Sequence, residues 1–267
     1  MNKDSISQEQ SSEGEGANPV QGVATQQGEE ATKKKEMPWL LETLLVVVTV
    51  LVIVGLFQNF VGRQYVIPSG SMEPTLHGCE GCTNDRIFTE KVSYYGGGEP
   101  KPGDVVVFKG TEDWNSSYVS PRSSNPLIHG VQDALSFVSL APPDENTLVK
   151  RVIATGGQTV SCQEGDPAVM VDGKPIEQEY VQDPPTYPVD ESTGSEECGG
   201  PYFGPVEVPE GNIWVMGDNR TASADSRYHM TDKFHGTVPV ENVRGKVKFV
   251  FWPFTRIGGV DDPDIQH

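Results

Sequence analysis

Followed by its apolar and polar positions, the chain falls into three unlike stretches. Residues 1–36 are rich in Gln, Glu, Gly and Ser and hold almost no large apolar side chain. Such a stretch buries too little surface to offset the entropy of ordering, and it predicts a disordered tail reaching to residue 38. The run WLLETLLVVVTVLVIVGLFQNFV, from Trp39 to Val61, is the opposite: twenty residues between Glu42 and Arg63 lack a charged side chain. At about 1.5 Å rise per residue they cross a hydrocarbon core of roughly 30 Å. The β-branched run from Val46 to Val54 suits a strand by propensity, but the stretch is several times too long for one, and a transmembrane helix over 39–62 is predicted. Beyond Arg63 the apolar runs shorten to DVVVF (104–108), LVKRVIA (148–154), AVMVDGK (168–174), NIWVMG (212–217) and KVKFVFW (246–252), each bounded by Gly, Pro, Asp or Asn. That punctuation predicts a mostly β domain over 63–267, with VDGK as a hairpin turn and no further helix-period run of useful length. Two polar regions, 109–147 and 182–210, read as surface insertions of the kind that can also shape a substrate groove.

Charge orients this arrangement. Lys33, Lys34 and Lys35 stand before the apolar run, and Arg63 is the sole basic residue just after it. By the positive-inside rule the tail is cytoplasmic and the C-terminal part extracytoplasmic. More than thirty residues precede the run and no small-x-small cleavage site follows it, which argues against a removable signal peptide. The net charge of −18 leaves Lys and Arg scattered, so nucleic acid is excluded as a partner, and the helix rather than electrostatics ties the domain to the phospholipid bilayer. YVIP (65–68) with Phe60 is an apolar stretch suited to resting on lipid. Cys162 and Cys198 flank an acidic, Pro- and Gly-rich stretch that a disulfide could close in an oxidising compartment. CEGC (79–82) leaves three readings open: a local disulfide, free thiols, or half a metal or redox site, with His77 and His129 as the nearby histidines.

Candidate chemistry begins at YVIPSGSMEPTL (65–76). Its serines could simply cap a turn, since Pro68 fixes φ and Gly70 tolerates unusual dihedrals. A nucleophilic serine needs a base within hydrogen-bond reach. His77 is one candidate. A penicillin-binding arrangement needs Lys three residues after Ser71, where Pro74 stands. Lys150 is the other candidate: strand alternation turns it inward if Arg151 faces solvent, and burial would lower its pKa toward the neutral amine a base requires. An edge-strand lysine with a wet head is the plain alternative.

SGSMEPTL around Ser71, GDVVVF from Gly103, KRVIATGG from Lys150 and GDNRTASADSR from Gly217 resemble, in that order, the boxes of bacterial type I signal peptidases, which are membrane-anchored Ser/Lys endopeptidases. The resemblance runs from the membrane segment to about Lys248. It implies a signal-peptidase-like antiparallel β domain behind one N-terminal transmembrane helix, with Ser71 as nucleophile and Lys150 as general base. Ser69 and the Ser71 N–H would form the oxyanion hole. Ser223 would hydrogen-bond and orient the base, Asp225 and Arg227 would form a supporting ion pair, and Asp218 and Arg220 would serve the structure. It further implies signal-peptide substrates with small residues at P1 and P3, proximity to the secretion translocon, and neither cofactor nor metal. Departures fall in loops: Gln158 stands where the family has Asp, the gap before Lys150 is long, and residues are added after Tyr228. A catalytically silent membrane-anchored β binding domain is the competing reading, and retention of Ser71, Lys150 and Ser223 argues against it. A self-cleaving repressor-type protein is disfavoured by the membrane segment.

Overall fold

The computed structural model describes residues 38–115, 118–137, 141 and 144–266, so the predicted tail lies outside the described residues. The chain divides into two compact units, 1–42 and 43–267. Of the first, only Pro38 and the opening turn of the first helix are described.

That helix, α1 (Trp39–Phe60), is long and apolar enough to cross a membrane and buries only Gly55 within the protein. Its end is closed by residues distant in sequence. The Lys91 ammonium donates to Asn59 O at 3.0 Å, the Tyr95 hydroxyl donates to Phe60 O, and the Lys91 N–H donates to Val61 O at 2.9 Å. Carbonyls that a helix terminus leaves unpaired thus find partners on the β domain.

The strands follow in chain order: β1 (Gly62–Val66), β2 (Arg86–Glu90), β3 (Val105–Lys109), β4 (Thr147–Thr155), β5 (Thr159–Cys162), β6 (Met170–Val171) and β7 (Lys174–Pro175). After them come β8 (Gly194–Ser195), β9 (Gly200–Pro201), β10 (Phe203–Glu207), β11 (Asn212–Met216), β12 (Val238–Pro239), β13 (Val243–Trp252) and β14 (Gly258–Gly259). An antiparallel sheet runs β1-β2-β13-β3-β4-β11-β12 with β14 on β13, and a second runs β10-β5-β6-β7. The VDGK turn joins β6 to β7 with Asp172 and Gly173 at φ 51° and 76°, the left-handed pair such a hairpin needs.

Central strands are covered on both faces. Val105 to Phe108 on β3 and Lys150 to Ala154 on β4 are buried without alternation. Alternation turns Lys150 inward on the condition that Arg151 faces solvent, and that condition is not met by Arg151. It is 1% exposed, because β4 lies between β3 and β11 and both its faces are packed. A correction concerns the region 109–147, which contains α2 (Pro126–Phe137). Leu127, Ile128, Val131 and Leu135 carry a helical period that its polar flanks and Gly130 disguise. Region 182–210 contributes β8, β9 and β10, and is pinned to the end of β5 by a Cys162–Cys198 disulfide. Ile67, Met72 and Leu76 are buried with Val105, Val107, Val247 and Val250, so the Ser71 segment is anchored by apolar residues on both sides of the serine.

Candidate active site

Ser71 occupies a 3-10 turn, Gly70–Met72, preceded by Ser69 in extended conformation. N–H groups that open such a turn have no partner within it, which leaves the Ser71 N–H available to an incoming oxygen. The turn is clamped by Asn219, whose N–H donates to Ser71 O at 3.2 Å and whose Nδ2 donates to Gly70 O at 3.0 Å. Lys150, paired with Val106 in the register of β3 and β4, extends to the same point, with Nζ 2.7 Å from Ser71 Oγ. Ser69 Oγ is 3.5 Å from Ser71 Oγ. His77, the other candidate base, engages the Glu73 carboxylate through Nδ1.

Burial strips the Lys150 ammonium of water and pulls its pKa down to about 8, against the opposing pull of the Asp225 and Asp218 carboxylates. Asp225 is itself fully buried. Desolvation works to raise its carboxyl, but the Arg227 guanidinium, with bonds of 2.8 and 2.9 Å, holds it below the usual range. Asp225 also accepts from the Gly217 N–H at 3.0 Å, and Arg227 donates onward to Gly199 O and Arg220 O. Asp218 pairs with Arg151 through bonds of 2.9 and 2.8 Å and accepts from the Thr75 hydroxyl at 2.6 Å. Arg220 instead binds Gly217 O, Gln178 and the Tyr180 hydroxyl.

Ser223 departs from its expected contact. It is buried, yet its Oγ has no hydrogen-bond partner, so the expected bond to Lys150 is not formed. It caps the short Arg220–Ala222 turn and crowds Gly217, where any side chain would collide with both Ser223 Oγ and Ser71 O. Gly217 is therefore obligatory, and Ser223 and Ser71 flank the same glycine.

Arg151, Thr75, Gly217 and Asn219 were not singled out from the sequence. All four lie within the boxes that carry the resemblance, Gly217 and Asn219 in GDNRTASADSR, Arg151 in KRVIATGG and Thr75 in SGSMEPTL, and those boxes were the usable signal. Gln158 accepts from the Thr155 N–H at 2.9 Å, so the departure from Asp leaves that turn closed. A groove of about 560 Å³ passes Ser69 and Gly70 and is lined also by Asn219, Tyr187, His77 and Cys79. The 182–210 region supplies part of its wall. His77 and the sulfurs of Cys79 and Cys82 lie within 4.8 Å of one another, a spacing that would suit a metal. The two sulfurs are joined as a disulfide, so they offer no thiolate ligands in this state.

The sequence matches the family described as "Signal peptidase, peptidase S26" over residues 40–252. It is similar to a probable signal peptidase I of Mycobacterium leprae, at 50% identity over 246 residues covering 88% of this chain and 83% of that protein. Similarity to a signal peptidase I of Mycobacterium tuberculosis is 51% over 226 residues, covering 83% and 75%. A signal peptidase I of Leptolyngbya laminosa is 31% identical over 245 residues, covering 92% of each.

Proposed function

The chain belongs to the bacterial type I signal peptidases, membrane-associated serine endopeptidases that cleave signal peptides from preproteins, and on that premise we propose that Ser71 is its nucleophile and Lys150 its general base. The observation that carries this reading is the 2.7 Å approach of a buried amine, with its pKa lowered to about 8, to the Ser71 hydroxyl. Neutral Lys150 accepts the Ser71 proton as Oγ attacks the scissile carbonyl. The oxygen that becomes negative is received by the Ser71 N–H and the Ser69 hydroxyl, and loss of one such donor costs about 3 kcal/mol in the transition state. Lys150, now an ammonium, returns the proton to the departing amine. The same lysine then activates the water that releases the acyl group. Asp225 with Arg227, and Asp218 with Arg151, act through the segments they hold. Ser223, unbonded at rest, is free to accept from the ammonium once it forms.

The substrate lies extended along the groove beside Ser69, adding backbone hydrogen bonds as a further strand and presenting small P1 and P3 side chains to shallow pockets. With α1 as a single-pass anchor, the N-terminal tail is cytoplasmic and the catalytic domain faces the extracytoplasmic side, near the translocon that delivers preproteins. The test is to incubate the purified full chain with a preprotein and sequence the new N-terminus, alongside Ser71→Ala. The expected result is cleavage after a small-x-small triplet by the parent and none by the variant. Cleavage by Ser71→Ala at the same site would refute the assignment.

A further inference from the structure

The α2 helix has an apolar face that no described residue buries. Leu127, Val131, Ala134, Leu135 and Ile128 fall within about 120° of one another around a helix of 3.6 residues per turn, while His129, Gln132, Asp133 and Ser136 fall on the opposite side. None of its residues is buried. Leu127 is 80% exposed, Val131 59% and Ile128 50%. An amphipathic helix usually gains its stability by packing that face on a core, and among the described residues this one has no core beneath it.

Its surroundings say what covers it. Phe137, the last residue of α2, lies against α1 at Gly55, where an added Cβ would stand 3.0 Å from Phe137 Cε1. Asn59 Nδ2 donates to Phe137 O at 3.1 Å, and Arg63 donates to Ser136 O at 2.9 Å. The end of α2 is thus fastened to the last turns of the helix that crosses the bilayer. The collar of Lys91, Tyr95 and Arg63 at that end has the composition of a membrane–water boundary. Gly55 lies five residues before Phe60, about 7.5 Å down the helix axis at 1.5 Å per residue. Interfacial helices bury their apolar face roughly 5–10 Å into the headgroup and acyl boundary, which is the same depth. The charges on the polar side are internally matched: Asp133 pairs with Arg122 at 3.0 Å and with His129 at 3.3 Å. Apolar burial rather than attraction to anionic lipid is therefore the driving term.

We propose that α2 is an interfacial membrane helix, laying Leu127, Ile128, Val131 and Leu135 into the outer boundary of the bilayer as a second attachment beside α1. The proposal rests on α1 spanning the membrane and is independent of the catalytic assignment. All four cysteines are paired, so a single introduced cysteine is a unique labelling site. Full chain carrying a nitroxide at L127C, V131C or Q132C is reconstituted in phosphatidylcholine vesicles. Collision with oxygen, which partitions into lipid, is compared with collision with a water-soluble nickel chelate. The expected oxygen-to-nickel ratio is several-fold higher at 127 and 131 than at 132. V50C reports separately whether α1 spans. If Val50 is protected while 127 and 131 meet the chelate as freely as 132, the proposal fails and the span stands. Protection that arises only on adding a signal peptide would overturn it in favour of a substrate surface.

Discussion

Burial on β4 gives Lys150 a pKa of about 8 against an ordinary 10.5, and both the catalysis and the stability of the protein should carry that signature. Activity is expected to rise with pH through about 8, as the amine loses its proton, and to level above it. Lys150→Arg should be nearly inactive at every accessible pH, because guanidinium keeps its proton. Between pH 8 and 10.5 the unfolded chain holds a proton that the folded chain has released, so stability climbs with pH across that window and is lowest below it. Lys150→Met should accordingly be inactive yet more stable than the parent at pH 7, by up to roughly 3 kcal/mol, with the difference closing above pH 10 in urea titrations. Ser223→Ala makes a contrasting case. Removing a buried hydroxyl without a partner should leave the melting temperature unchanged or slightly raised, while kcat falls if the hydroxyl serves the ammonium. Unchanged kcat would remove Ser223 from the mechanism. At this scale the sequence was informative where a residue sits in a box of fixed spacing, as Ser71 and Lys150 do. The inward turn of Lys150 holds without the wet Arg151 it was conditioned on, because alternation gives a wet face only to a strand that has one.

Elements meet at the site through buried ion pairs rather than through one continuous motif. Asp218, in the loop after β11, joins Arg151 on β4 and Thr75 beyond the Ser71 turn, and both members of the ion pair are within 1% of full burial. Breaking such a pair from one side leaves a charge with no partner in a dry interior. Asp218→Asn is expected to cost about 3–5 kcal/mol in denaturant unfolding, and the double variant with Arg151→Met should recover much of that loss. A loss below 1 kcal/mol would mean that water reaches Arg151. The β strands were legible as short apolar runs cut by turn residues, and the β6–β7 hairpin as Asp-Gly. The α2 helix was not, because an exposed amphipathic face interrupted by Gly130 reads as polar loop when the expectation is that apolar faces point inward.

For the whole molecule, the anchor was the plainest feature of the sequence, since no fold constraint other than a membrane calls for twenty uncharged residues in a row. The orientation drawn from Lys33 to Lys35 predicts that protease added to intact cells digests the β domain and leaves the N-terminal tail protected; the reverse pattern would invert it. What the apolar run could not convey is how directly the anchor passes into the enzyme. Val61 is bonded back to Phe57 and across to Lys91, and β1 begins at the next residue, already paired with β2 along its whole length. Only two residues, Ile67 and Pro68, separate the end of β1 from Ser69. There is no slack between the anchor and Ser71, so the junction sets a fixed height. With Ser71 as the proposed nucleophile, a preprotein emerging from the same bilayer would meet it at one elevation, and the choice of bond to cut would become in part a measurement of how far the chain has risen from the membrane.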